Sequence, residues 1–98
     1  MTEAEIIEKL RRLEATDDAK ERNALAIEFS DTNDPRVFEP LVKLIERSDL
    51  VNNRGTLLYS LASYDCSSVA DLLRNLFKTG NFEVRSEAQM ILDRQAIG

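Results

Sequence analysis

Asn53-Arg54-Gly55-Thr56-Leu57-Leu58-Tyr59-Ser60-Leu61-Ala62 places leucines three and seven residues after an arginine, the spacing of one face of a helix. The same pattern surrounds Arg22, with Leu25 and Phe29, and Arg85, with Ala88 and Leu92. The three arginines are 32 and 31 residues apart, so the 98-residue chain reads as three copies of one unit. Sliding the second unit by 32 matches Val37 with Val69, Leu41 with Leu73, Leu44 with Leu76, Ile45 with Phe77 and Leu50 with Phe82. The first unit matches more loosely: Ile6 with Val37, Leu10 with Leu41 and Leu13 with Leu44. One hairpin of this size cannot bury its apolar face alone, so a period of paired helices implies stacking.

Turn and cap residues divide each unit in two. Thr2-Glu3-Ala4-Glu5 fits a capping box, and Ile6, Ile7, Leu10 and Leu13 follow at helical spacing to about Ala15. Glu8 and Arg12 form an i,i+4 pair on the outer side of this helix. Thr16-Asp17-Asp18 breaks it and caps a second helix running to about Ser30. Asp34 caps a third, with Pro35 at its first position and Pro40 marking a local kink or shift. Ser48-Asp49 opens a fourth helix over about Leu50 to Tyr64. A serine in Ser67-Ser68 caps a fifth, Val69 to Thr79, which Gly80 ends in the left-handed conformation. The sixth runs from about Phe82 to Ala96. No segment alternates with a period of two. The expected fold is all-α: a right-handed α-solenoid of three antiparallel hairpins, one domain over 1–98, with repeats near 2–31, 32–65 and 66–98.

Composition narrows the function. No apolar run approaches the ~20 residues that span a bilayer. Met1-Thr2-Glu3-Ala4-Glu5 lacks the basic start and apolar centre of a signal peptide, and Cys66 is the single cysteine. A cytoplasmic protein in a reducing compartment is expected. The net charge is -5, and residues 1–34 hold ten acids against five bases while residues 35–98 balance eight against eight. The acidic first repeat, including Glu21 and Glu28, is either a solubilising end of the stack or a face for a basic protein partner. Scattered bases, a negative total and no tryptophan argue against nucleic acid.

No catalytic, cofactor-binding or metal-binding residue is expected. Histidine is absent, which removes the commonest general base and metal ligand. Cys66 therefore has no histidine partner, although a turn before a helix N-terminus can favour its thiolate. The three glycines form no phosphate loop, and Asp31-Thr32-Asn33-Asp34 lacks calcium-loop spacing.

What remains is surface. Five residues after each arginine stand Ile27, Tyr59 and Met90. At about 100° per residue this position turns away from the plus-three and plus-seven core side. These side chains either line the inner, second-helix face or pack between neighbouring repeats. Asn23, Gly55 and Ser86, one residue after each arginine, are small or polar enough to leave that strip open. Gly55 costs its helix about 1 kcal/mol against alanine, so close helix packing or a close partner accounts for it.

Asp34-Pro35-Arg36 opening a helix, the leucine stripe behind it, and Val84-Arg85-Ser86-Glu87-Ala88 resemble the HEAT repeat family, with Asn53-Arg54 and Glu21-Arg22 as weaker copies. The short period is nearest the compact bacterial, phycobilisome-lyase-like HEAT repeats. Tetratricopeptide repeats are the rival, but their 34-residue period and aromatic and glycine signature are not evident. The resemblance implies a ladder between repeats, with Asp49 before Arg54, Asp18 before Arg22, and Asn81 as a weaker equivalent before Arg85. The repeat, the absent catalytic groups and the charge asymmetry together point to a non-catalytic protein-interaction module that binds through its second-helix face and acidic first repeat. Two narrower roles are an immunity or antitoxin protein that covers a basic toxin, and a bilin lyase-like protein or chaperone, the last implied by the family name alone. Apolar ends at Ile6 and Ile7 and at Ile91, Leu92 and Ile97 leave monomer and dimer both open.

Overall fold

The computed structural model describes residues 1–47 and 54–97. Six α-helices and two 3-10 turns make up their regular structure, with no strand among the described residues. Helix α1 (Glu3–Ala15) pairs with α2 (Ala19–Ser30), α3 (Phe38–Glu46) with α4 (Gly55–Leu61), and α5 (Ala70–Thr79) with α6 (Phe82–Arg94). The second helices also touch one another, α2 against α4 and α4 against α6. The result is a row of three hairpins, 37 × 26 × 16 Å in extent, with α1 at one end and α5 and α6 at the other.

Local chemistry sets most helix starts. Thr2 Oγ1 accepts from the Glu5 N–H and donates to the Glu5 carboxylate, which closes the capping box and holds that carboxyl below its usual range. Asp18 caps α2 through the Lys20 N–H. Asp34 caps the 3-10 turn Pro35–Val37 through the Arg36 N–H, and α3 begins only at Phe38. Pro40 falls in the first turn of α3, where its missing N–H leaves no helical bond unmade.

The start expected for the fourth helix near Leu50 lies outside the described residues, and four other ends or caps differ from expectation. That helix ends at Leu61 rather than Tyr64, because the chain tightens there through Ser63 N–H to Ser60 O and Tyr64 N–H to Leu61 O. Before α5 no serine caps: a 3-10 turn, Ser67–Val69, leads into the helix, and Asp65 accepts from the Ser67 N–H at its head. Gly80 is extended (φ -75, ψ 168) rather than left-handed, since the next residue, Asn81, already caps α6 through the Val84 N–H. Glycine is needed there for space: a Cβ would strike the Val84 side chain and lie 2.8 Å from the Leu76 carbonyl oxygen. α6 stops at Arg94, and Ala96 supplies the left-handed turn, φ 52, that closes it.

The core is the plus-three and plus-seven set. Leu25, Phe29, Leu57, Leu61 and Ala88 are buried, and Leu92 packs half-buried against them. Leu13, Leu41, Leu44, Ile45, Leu73 and Leu76 supply the opposing side from the first helix of each hairpin. Burying each large side chain removes apolar surface worth about 1.5–3 kcal/mol.

Polar clamps at equivalent positions join the hairpins. Ten residues after Arg54, Tyr64 Oη donates to Phe29 O at 2.8 Å, at the end of α2. Ten residues after Arg85, Gln95 Nε2 donates to Tyr64 O at 2.9 Å, just past α4, and Gln95 Oε1 accepts from the Cys66 N–H at 2.8 Å. A side chain of each later hairpin thus donates to a backbone carbonyl at or just past the end of the preceding second helix.

Candidate functional site

The three arginines are not alike. Arg22 is buried, and its Nη2 donates to Thr16 O at 3.0 Å, the residue that ends α1. Arg54 Nη2 donates to Arg47 O at 3.2 Å, the residue that ends α3. Each guanidinium ties a second helix to the end of its own first helix, while its Nε stays buried without a partner. Arg85 is exposed instead. Asp49, the expected ladder aspartate, lies outside the described residues. Asp18 spends its side chain on the α2 cap, not on Arg22.

The plus-five side chains face solvent. Ile27 is 49% exposed, Tyr59 55% and Met90 38%, which rules out close packing between repeats. They stand at one position on three successive helices that touch, α2, α4 and α6. The strip beside them is less open than expected. Gly55 is buried, because the Glu83 side chain from α6 lies over the place its Cβ would occupy. Asn23 is half-buried with its Oδ1 enclosed, leaving Ser86 as the exposed member. The Glu83 side chain, not a partner, therefore covers Gly55.

The acidic pair of α2 is already engaged. Arg12 Nη2 lies 2.7 Å from Glu21 Oε2, and Lys9 Nζ lies 2.8 Å from Glu28 Oε2. Helix α1 thus lays two cations over both carboxylates, and the Arg12 hydrogen bond holds the Glu21 carboxyl below its usual range. Near the same end, Glu28, Asp31 and Asp34 border a cleft of about 600 Å³. Arg36 takes up Asp34 through its backbone and guanidinium, which holds that carboxyl down at about 2. The acidity of the first repeat is largely internally compensated at these positions.

Cys66 is not a nucleophile in waiting. It is fully buried, and its S–H donates toward Leu61 O and Tyr64 O, both at 3.3 Å. Burial pushes the thiol up to about 11, opposite to the thiolate that a helix N-terminus would favour. Among the described residues, no group of three His, Cys, Asp or Glu side chains is placed to hold a metal ion. No helix among them is long and apolar enough to cross a membrane.

Sequence reasoning missed one surface. Phe77, Phe82 and Met90, with Arg85, Ser86, Gln89 and Asp93, line a hollow of about 480 Å³ on the last hairpin. The signal was present in the repeat alignment. Phe77 is the counterpart of Ile45, which is fully buried in the middle hairpin, yet Phe77 is partly exposed and Phe82 is 85% exposed. The apolar end expected at Ile91, Leu92 and Ile97 is instead turned inward: Ile91 is buried, and the other two pack against the core.

Comparison with protein-family models, with curated proteins and with solved structures finds no significant match.

Proposed function

We propose that this chain is a non-catalytic protein-binding module that holds its partner on the face formed by α2, α4 and α6. The observation that carries this is the exposure of Ile27, Tyr59 and Met90 at one repeat position on three adjoining helices. Isoleucine, tyrosine and methionine offer apolar area with little desolvation cost, and tyrosine adds a hydroxyl, a composition suited to the centre of an interface. The row of hairpins sets their spacing, so a partner must match these anchors together, Ile27 and Tyr59 above all. The equivalence of the Tyr64 and Gln95 clamps supports the HEAT-like stacking of hairpins as the frame for that face. The charge excess of the first hairpin favours the approach of a basic partner without having to enter the contact.

The test uses Ile27→Asp/Tyr59→Asp beside the unaltered chain as immobilised baits. Both residues are exposed, so helix content should be unchanged by circular dichroism. Partners retained by the unaltered chain, identified by mass spectrometry, should be lost from the double variant. Equal retention on both baits would sink the proposed face.

A further inference from the structure

One exposed face of α6 carries a pattern that is complementary to itself. Arg85, Gln89 and Asp93 follow one another at four-residue spacing and so lie along one side of the helix. Asp93 Oδ1 accepts from Gln89 Nε2 at 2.6 Å, which steadies the carboxylate at the C-terminal end of that line. At the other end, Arg85 differs from its counterparts: Arg22 and Arg54 donate to carbonyls, and Arg85 has no such acceptor among the described residues. Phe82, the most exposed of the large apolar side chains described, and Met90 flank the line, with Phe77 behind them.

We infer that this face is where a second copy of the chain docks, α6 against α6 and antiparallel, about a two-fold axis passing near Gln89. Arg85 and Asp93 are equidistant from Gln89, so such an axis sets Arg85 beside the partner's Asp93 and repeats the pairing in reverse. The same operation lays Phe82 of each copy over the far end of the other's α6 and draws Met90 into the seam, so that Ile27 and Tyr59 remain as the anchors of the proposed partner face in the dimer. Charge distribution favours this end over any other. The excess of acids lies in residues 1–34, whereas residues 35–98 are balanced. Helix α6 packs on α4 and α5, and α1 packs on α2 and α3, so joining two α6 ends keeps the acidic hairpins apart. A partner of different sequence has no reason to match an Arg-Gln-Asp line read from both directions.

Charge reversal tests the pairing directly. Sedimentation equilibrium of the full chain should show the mass doubling as concentration rises. Arg85→Asp sets a carboxylate against the partner's Asp93, and Asp93→Arg sets a second guanidinium against Arg85, so each variant alone should stay monomeric. An equimolar mixture of the two variants restores attraction between opposite charges and should form a heterodimer, and the double variant should dimerise by itself. Tyr59→Asp should leave the dimer intact, which separates this surface from the proposed partner face. Unaltered chain that stays monomeric throughout, single variants that still dimerise, or a mixture that stays monomeric would each overturn the assignment. All three positions are exposed, and circular dichroism of each variant checks that its helices are unchanged.

Discussion

Gly55 and Gly80 share a residue type but not a reason. Over Gly55 lies the flexible, exposed end of Glu83, which can swing aside. Gly55→Ala should therefore be tolerated, leaving stability within about 1 kcal/mol of the parent or raising it through better helix propensity. At Gly80 the obstacles are the buried Val84 and a backbone carbonyl, Leu76 O, and neither can move without shifting a helix. Gly80→Ala should destabilise by about 1–3 kcal/mol in urea unfolding, the cost of forced overpacking. The arginines differ in the same way. The motif pointed equally to Arg22, Arg54 and Arg85, but whether a guanidinium finds a helix-end carbonyl depends on where the preceding helix stops, which the motif does not encode.

Helix ends show how far local sequence reaches. Thr2, Asp18, Asp34 and Asn81 cap because their side chains bond their own neighbouring N–H groups, a feature legible from a few residues. The C-terminal end of α6 is less legible. Ile97 N–H bonds Leu92 O at 3.0 Å and Ala96 N–H bonds Asp93 O, a Schellman pattern with alanine where glycine is usual. Alanine in the left-handed region is strained, and glycine is not, although glycine also gains freedom in the unfolded chain. Ala96→Gly should on balance stabilise the protein by about 0.5–1 kcal/mol, read as a rise in melting temperature.

For the molecule as a whole, stability should depend on pH at the alkaline side through the joint between hairpins. Burial, reinforced by Asp34, raises the Tyr64 hydroxyl from 10.0 to about 12, and burial raises the Cys66 thiol from 9.0 to about 11. Both groups are neutral when protonated, and the fold favours that form. Their contribution is therefore complete below pH 9.0 for Cys66 and 10.0 for Tyr64, and is lost as pH rises through about 11 and about 12. Urea midpoints should be level up to about pH 9 and fall beyond it. Tyr64→Phe keeps the ring but removes the hydrogen bond to Phe29 O, which should cost about 0.5–1.5 kcal/mol at neutral pH and remove the upper part of the alkaline fall.

By itself the sequence determined the all-helical class, the period of the hairpins and the identity of the core. Those follow from spacing along one helix, as at Leu57 and Leu61, and from caps that bond within a few residues. It also placed Ile27, Tyr59 and Met90 at one repeat position, but it left open whether they were covered. Only the tertiary structure decided that, because exposure depends on the neighbouring helix and not on the residue's own turn. The same dependence closed the strip at Gly55, bound Glu21 and Glu28 to α1, buried Cys66, and left the Phe77–Phe82 end of the row open. Each depends on which helices come to lie against one another, and no local pattern records which surfaces meet.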